Sequence, residues 1–295
     1  MLPKRIKRPE DLVTPHKAIR AGFLSQAVTK GTIAKPHIAR SVVFSKALSK
    51  LKNANNLFED LPGFRAELIA ATGFSLKGAS HLSNDELDVV VKQALKASSA
   101  TKDFRTELVA RYLLTKGDSL GGTMRNIIGS SAGVKLVESL LKELKRRRIK
   151  PTIEKSKKGK VQNIRWNGRW LRFDCKSKII GKNIDAILLD ISGRGAMDDV
   201  LNNPTRYIAA GELKGGIDPA GADEHWKTAG SALERIRTSF KKEKHKPELF
   251  FVGAAIESSM AEEIFQQLKT GRLSHAANLT DQDQLGDLAT WLVGL

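Results

Sequence analysis

The sequence predicts an α/β fold, a mixed β-sheet flanked by helices, preceded by a mostly helical N-terminal region. Three observations carry this expectation. Apolar residues recur at helical spacings through the first part of the chain. Short apolar runs separated by turn signals then take over, at residues 161–166, 170–175, 184–191, 207–213 and 248–256. Amphipathic stretches at 223–242, 260–269 and 281–293 alternate with the later runs, as expected for helices flanking a sheet. The expected division falls at 125/126. Residues 1–125 are expected to form a mostly helical region, and residues 126–295 to hold the sheet.

The elements follow in order. The first forty residues are broken by Pro3, Pro9, Pro15, Gly22, Gly31 and Pro36, so only a short helix over 17–29 is expected there. Val42, Val43, Ala47 and Leu51 predict a helix over 40–52. Pro62 suits a first helical position, and the next helix runs to 72. Ser83 and Glu86 form a capping box ahead of Leu87, Val90, Val91 and Leu95. Phe104, Leu108, Tyr112 and Leu113 share a helix face that is expected to stop at Gly117. A long helix over 131–148 has Val134, Val137, Leu140, Leu141 and Leu144 on one side. Asn167-Gly168 between two apolar runs predicts a β-hairpin.

Composition narrows the function. The 295 residues carry 50 Lys and Arg against 32 Asp and Glu, a net charge of +18, which points to a polyanionic partner. No apolar run approaches the roughly 20 residues of a membrane span, and the basic N-terminus lacks the apolar stretch of a secretory signal. Cys175 is the only cysteine, which excludes an internal disulfide and a multi-cysteine zinc site. A cytoplasmic, prokaryotic protein is expected. The charge is concentrated in residues 1–52, in residues 142–160 and in Lys241-Lys242-Glu243-Lys244-His245-Lys246. Aromatic residues are only 6% of the chain, which favours a duplex backbone over stacked single-stranded bases.

The residues with catalytic chemistry lie in the sheet region. Asp185 leads the apolar run Ile184-Asp185-Ala186-Ile187-Leu188-Leu189. Another run ends Gly211-Glu212-Leu213-Lys214-Gly215-Gly216, and period two on a strand sends Glu212 and Lys214 to the same face. If the two strands are neighbours, Asp185, Glu212 and Lys214 converge. Two carboxylates can hold a hard divalent cation that polarises a phosphoryl group, with the lysine stabilising added negative charge. That is phosphodiester hydrolysis. The spacing alone also describes an ordinary surface pair, and Asp174 and Asp190 compete with Asp185 as the first acid.

The next residues, Gly215-Gly216-Ile217-Asp218-Pro219-Ala220-Gly221-Ala222-Asp223-Glu224-His225-Trp226-Lys227-Thr228-Ala229, closely resemble the active-site stretch of the AvaI/BsoBI family of type II restriction endonucleases, in the PD-(D/E)xK nuclease superfamily. Gly117-Asp118-Ser119-Leu120-Gly121-Gly122-Thr123-Met124-Arg125-Asn126 is similar to a stretch met in several such enzymes. The resemblance implies a PD-(D/E)xK core, metal ligation by Asp185 and Glu212, and the catalytic lysine at Lys214. It also implies an active-site role for His225 and a base contact for Asp218. Arg125, Lys145, Arg146 and Arg147 are nominated as further DNA contacts. The expected activity is Mg²⁺-dependent cleavage of both DNA strands at a CYCGRG-like site, giving 5′-phosphate ends. A homodimer would do this, with a cognate DNA methyltransferase as its genetic partner. Asp218 before Pro219 is also an ordinary helix cap, and Glu138 is a further acid near the sheet.

Three alternatives stand beside this one. The same core could serve repair or structure-specific cutting, or the chain could be a DNA-binding module without activity. Gly117-Asp118-Ser119-Leu120-Gly121 also matches the G-x-S-x-G pattern of a serine hydrolase, which demands a strand before it and a helix after it.

Overall fold

The computed structural model describes residues 2–52, 56–99, 103–193 and 197–295. They form two compact units, residues 24–126 and residues 1–23 together with 127–295. Two long helices contribute to both: α1 (His16–Leu48) and α6 (Phe104–Arg146). No helix among the described residues is long and apolar enough to cross a membrane.

In the helical unit, α1 and α6 are joined by α2 (Leu57–Asp60), α3 (Arg65–Ala71), α4 (Leu76–Ala79) and α5 (Asn84–Ser99). Phe44, Leu48, Leu68, Val91, Leu108 and Tyr112 fill its core. The capping box forms as expected: Glu86 accepts the Ser83 N–H at 2.9 Å, and Ser83 Oγ accepts the Glu86 N–H at 3.3 Å. Arg105 donates to the carbonyls of Leu48 and Leu51, satisfying the open end of α1. Arg40 holds the buried carboxylate of Glu67 at 2.8 Å.

Both long helices correct the sequence expectation. α1 is one helix of 33 residues through Gly22, Gly31 and Pro36, where a short helix and a separate later one were expected. α6 runs 43 residues through Gly117, Gly121, Gly122, Gly129 and Gly133, where a stop and a loop were expected. Glycine costs an exposed helix about 1 kcal/mol and an interior proline about 3 kcal/mol. Burial outweighs these costs here: Phe44 and Leu48 anchor α1, and Leu108, Tyr112, Leu136 and Leu140 anchor α6 on either side of its glycines. Ser119 is therefore in mid-helix, its hydroxyl donating to the Thr115 carbonyl at 3.0 Å. A nucleophile elbow cannot form there, so the serine hydrolase alternative fails.

The second unit is built on one seven-stranded sheet in the order β1 (Thr152–Lys155), β2 (Val161–Trp166), β3 (Arg169–Lys176), β4 (Asn183–Asp190), β5 (Tyr207–Lys214), β6 (Glu248–Gly253), β7 (His275–Asn278). Strands β1 to β5 pair antiparallel, and β5 to β7 pair parallel. Asn167 and Gly168 have φ of 41° and 74° and close the β2–β3 hairpin in two residues, as their chemistry demands. After α7 (Met197–Asn202), the parallel strands are linked by α8 (Ala222–Lys242) and α9 (Ser258–Lys269), and α10 (Gln282–Gly294) closes the chain.

The sheet is covered on both faces. Trp226, Leu233 and Phe240 of α8 and Met260, Ile264 and Leu268 of α9 fill the core of one face. Leu136, Leu140 and Leu144 of α6 and Leu285, Leu288 and Leu292 of α10 fill the other. Residues 1–23 join this unit, which differs from the division expected at 125/126. Burial explains it: Ile6 and Leu12 are core residues beside α9. Thr14 then locks the segment to the end of β6, donating to Ala254 O at 2.8 Å and accepting the Ile256 N–H at 2.9 Å.

Candidate active site

Strand register brings the nominated acids together. Ala186 of β4 pairs with Gly211 of β5, so Asp185 and Glu212 stand across the ladder from each other. Lys214 lies one pleat beyond Glu212 on the same face, while Leu213 points into the apolar core. Lys214 Nζ is 3.3 Å from Glu212 Oε2 and 4.0 Å from Asp185 Oδ2. The Leu213 N–H donates to Asp185 Oδ2 at 2.8 Å, pinning this carboxylate across the two strands. The competing acids are elsewhere. Asp190 ends β4 among Ser192, Arg169 and Arg206, and exposed Asp174 is paired with Lys160. Glu138 is on the exposed face of α6.

Glu212 is only 5% exposed. Burial, reinforced by the Asp185 charge and opposed by Lys214, pushes its carboxyl up to about 7. Two adjacent carboxylates, one buried, are an all-oxygen donor set of net negative charge, which suits a hard divalent cation. Among the described residues, no group of three or more His, Cys, Asp or Glu side chains gathers to hold a metal. Two carboxylates fill only part of the shell of a hard divalent cation, so a cation on Asp185 and Glu212 would have positions for water or a phosphate oxygen.

Gly215 and Gly216 set what surrounds Lys214. A Cβ at Gly215 would run into the Ile128 carbonyl oxygen of α6 and stand 2.7 Å from Ser131 Oγ. Only glycine lets the end of β5 approach that helix backbone. A Cβ at Gly216 would lie 2.8 Å from His225 Nε2, so the His225 ring rests against the chain two residues past Lys214. His225 is exposed, in the first turn of α8. Asp218 is also exposed and caps the short turn Pro219–Gly221, its Oδ1 accepting the Ala220 N–H at 3.0 Å. Its second oxygen is not used in that cap.

The nominated basic residues are dispersed. Arg125 lies in the helical unit on α6, its guanidinium folded back toward Gly121 and Gly122. Lys145, Arg146 and Arg147 are not brought to the carboxylates. From Ile128, which abuts Gly215, α6 runs about 27 Å before reaching Arg146. Arg146 and Arg147 hold the buried Glu143 carboxylate at 2.7 and 2.6 Å, drawing it down to about 2. Arg147 also donates to Thr290 O at 2.9 Å, near the end of α10.

Sequence reasoning missed the cations that flank Asp185. Exposed Lys176 pairs in register with Asn183, and exposed Lys178 and Lys182 lie in the turn between β3 and β4. Their signal was their position directly before the Asp185 strand, overlooked because denser charge runs stand elsewhere. Thr14 and Asn278, joined at 2.8 Å, buttress the same end of the sheet. No local pattern marks that contact between residues so far apart in the chain.

A family model described as restriction endonuclease BsobI matches residues 3–160 and 149–295. The type II restriction enzymes AvaI of Nostoc sp. (strain PCC 7120) and of Anabaena variabilis are each 39% identical over 312 residues, covering 98% of this chain and 98% of theirs. The type II restriction enzyme BsoBI of Geobacillus stearothermophilus is 37% identical over 314 residues, covering 98% of this chain and 97% of its own. With the family model and these relatives spanning nearly its whole length, the chain belongs to the BsobI restriction endonuclease family.

Proposed function

We propose that this chain is a type II restriction endonuclease that uses Mg²⁺ to hydrolyse both strands of duplex DNA at a short specific site. The expected target is CYCGRG-like and the expected products carry 5′-phosphates. The observation that carries this proposal is the convergence of Asp185, buried Glu212 and Lys214 at one end of the sheet.

Mg²⁺ held by Asp185 and Glu212 would polarise the phosphoryl group and lower the pKa of a bound water. The remaining work falls to the chain itself. The Leu213 N–H fixes Asp185 before DNA arrives, so the site is preorganised. Lys214, held between two carboxylates, offers positive charge to the negative charge that develops on the phosphate. His225, resting on Gly216, orients the attacking water or takes its proton. Asp218 keeps one oxygen for its turn and offers the other to a base edge.

Lys176, Lys178 and Lys182 bring the phosphate backbone to this end of the sheet. Arg125 of the helical unit is proposed by itself as a further DNA contact. Lys145, Arg146 and Arg147 contact phosphate outside the catalytic end. A palindromic site is matched by a two-fold symmetric homodimer. A methyltransferase gene beside this one would supply the protection that a site-specific nuclease requires.

The test is digestion of phage DNA in Mg²⁺ by the wild type and the Lys214→Ala variant. A discrete fragment ladder, lost in the variant while DNA binding persists, is the expected result. A smear, branch-dependent cutting, or binding without cleavage by the wild type would each refute the proposal.

A further inference from the structure

Part of the positive charge lies far from the carboxylates. A concave pocket of 330 Å³ opens near the start of β6, and its cationic lining is Arg237, Lys241, Lys244, Lys246 and Arg272. Among the described residues no carboxylate lines it, and its apolar lining is Phe240, Pro247 and Leu249. One acid, Glu234, is shared by the guanidiniums of Arg237 and Arg272. A second concavity of 440 Å³ shares Lys246, Gly271 and Ser274 with the first and continues to Lys4 and Leu295. It brings in Glu248, engaged by the Ser274 hydroxyl, and Asp287, beside His275. Beyond it, the Arg147 guanidinium stands 4.0 Å from the place of a Cβ at Gly294, with exposed Lys145 and Arg148 next to it. The cations thus form a strip rather than a single hole.

The strip lies at the end of the sheet opposite the catalytic residues. The ring of His245, which lines the first pocket, is 2.7 Å from the Tyr207 carbonyl at the start of β5. Lys214 ends that strand seven residues later, about 23 Å away. A duplex whose phosphate sits at Lys214 is gripped at the other end of the strand. The ligand chemistry is that of a repeating polyanion, because the five lysine and arginine side chains of the first pocket, with Lys4 beyond them, outnumber what a single phosphate group engages. A single strand would need a run of exposed aromatic faces, whereas the strip offers only fully buried Phe240 and half-buried Trp291 among the described residues.

We propose that this strip is a second, sequence-independent docking surface for the phosphate backbone of duplex DNA. It lets one chain hold a second duplex while the first occupies the carboxylate end. Neither cleavage nor recognition of a specific site is required for it.

The test uses the full chain in EDTA. An immobilised duplex is saturated with protein, washed, and offered a labelled duplex of unrelated sequence. The wild type should retain the second duplex in a strongly salt-dependent way. The triple variant Lys241→Ala, Lys244→Asn, Lys246→Ala should hold the first duplex yet capture the second at least tenfold more weakly. Asparagine is chosen because residue 244 has φ of 53°, a conformation it tolerates. The log–log salt slope for the second duplex should fall by about 2–3 with three phosphate contacts removed. Lys241→Arg with Lys246→Arg should restore capture, which a merely damaged fold would not. No capture by the wild type, or equal capture by the triple variant, would overturn the proposal. So would saturation of the strip by one nucleoside triphosphate per chain without any duplex capture, which would assign it to a small polyanion.

Discussion

Replacing Glu212 by glutamine should make the cation-free protein more stable while abolishing its catalytic use. The carboxyl, ordinarily at 4.5, is raised to about 7 by burial and by Asp185. Below pH 4.5 it is protonated whether the chain is folded or unfolded, and folding loses nothing. Between pH 4.5 and 7 the unfolded chain releases a proton that the folded chain keeps, and the penalty grows. Above pH 7 the folded protein carries the buried charge in full. At about 1.4 kcal/mol per pH unit, that charge costs the fold about 3 kcal/mol. Glutamine keeps the shape and can still accept a hydrogen bond from Lys214. At about 2–4 °C per kcal/mol, thermal melts in EDTA at pH 8 should place the variant about 6–12 °C above wild type. The gap should nearly close at pH 5. Mg²⁺ should raise the wild-type midpoint and leave that of the variant almost unchanged. A variant that melts at or below wild type at pH 8, or an equal gap at pH 5, would refute the reasoning.

Three further outcomes follow from the geometry. Glu143 shows the opposite sign: drawn down to about 2 by Arg146 and Arg147, it stabilises the fold above pH 4.5 and loses that contribution as pH falls through 2. Glu143→Gln should therefore cost about 2 kcal/mol at pH 7, with melts converging in strong acid; parallel curves would show that the ion pairs contribute nothing. Gly215→Ala forces β5 away from the Ile128 carbonyl and should cost about 1–3 kcal/mol by denaturant titration, with slower cleavage. An unchanged denaturation midpoint would deny the tight contact. Gly216→Ala meets only the movable His225 ring, so stability should fall by less than about 1 kcal/mol while single-turnover cleavage drops at least tenfold and DNA binding persists. Undiminished cleavage would remove His225 from the mechanism.

Much of the sheet was legible in the sequence because its signals are local. The Asn167-Gly168 turn, the period-two placement of Glu212 and Lys214, and the amphipathic α8 each depend on neighbours within a few residues. β1 and β7 were not expected: β1 is an exposed four-residue edge strand, and β7 is a four-residue buried one, both too short for a periodic pattern. The long helices were misjudged for a different reason. Gly22, Pro36, Gly117 and Gly121 oppose helix locally, and only the core at the C-terminal end of α1 and the cores at either end of α6 override them. The first 23 residues carry no mark of their partner, since Leu12 and Thr14 are buried by segments more than 200 residues later.

The sequence by itself determined the kind of chemistry: a polyanion partner from the +18 charge, and two carboxylates with a lysine from the residue types and their order. Tertiary structure alone decided which acid stands beside Glu212 and where the charges lie. Asp185 rather than Asp174 or Asp190 meets Glu212, because the β4–β5 register places it across the ladder. Lys145, Arg146 and Arg147 lie away from that pair, because a continuous α6 carries them the length of the sheet. Spacing along a strand fixes which side chains share a face, but only the pairing of distant strands and the direction of a buried helix fix which groups share a site.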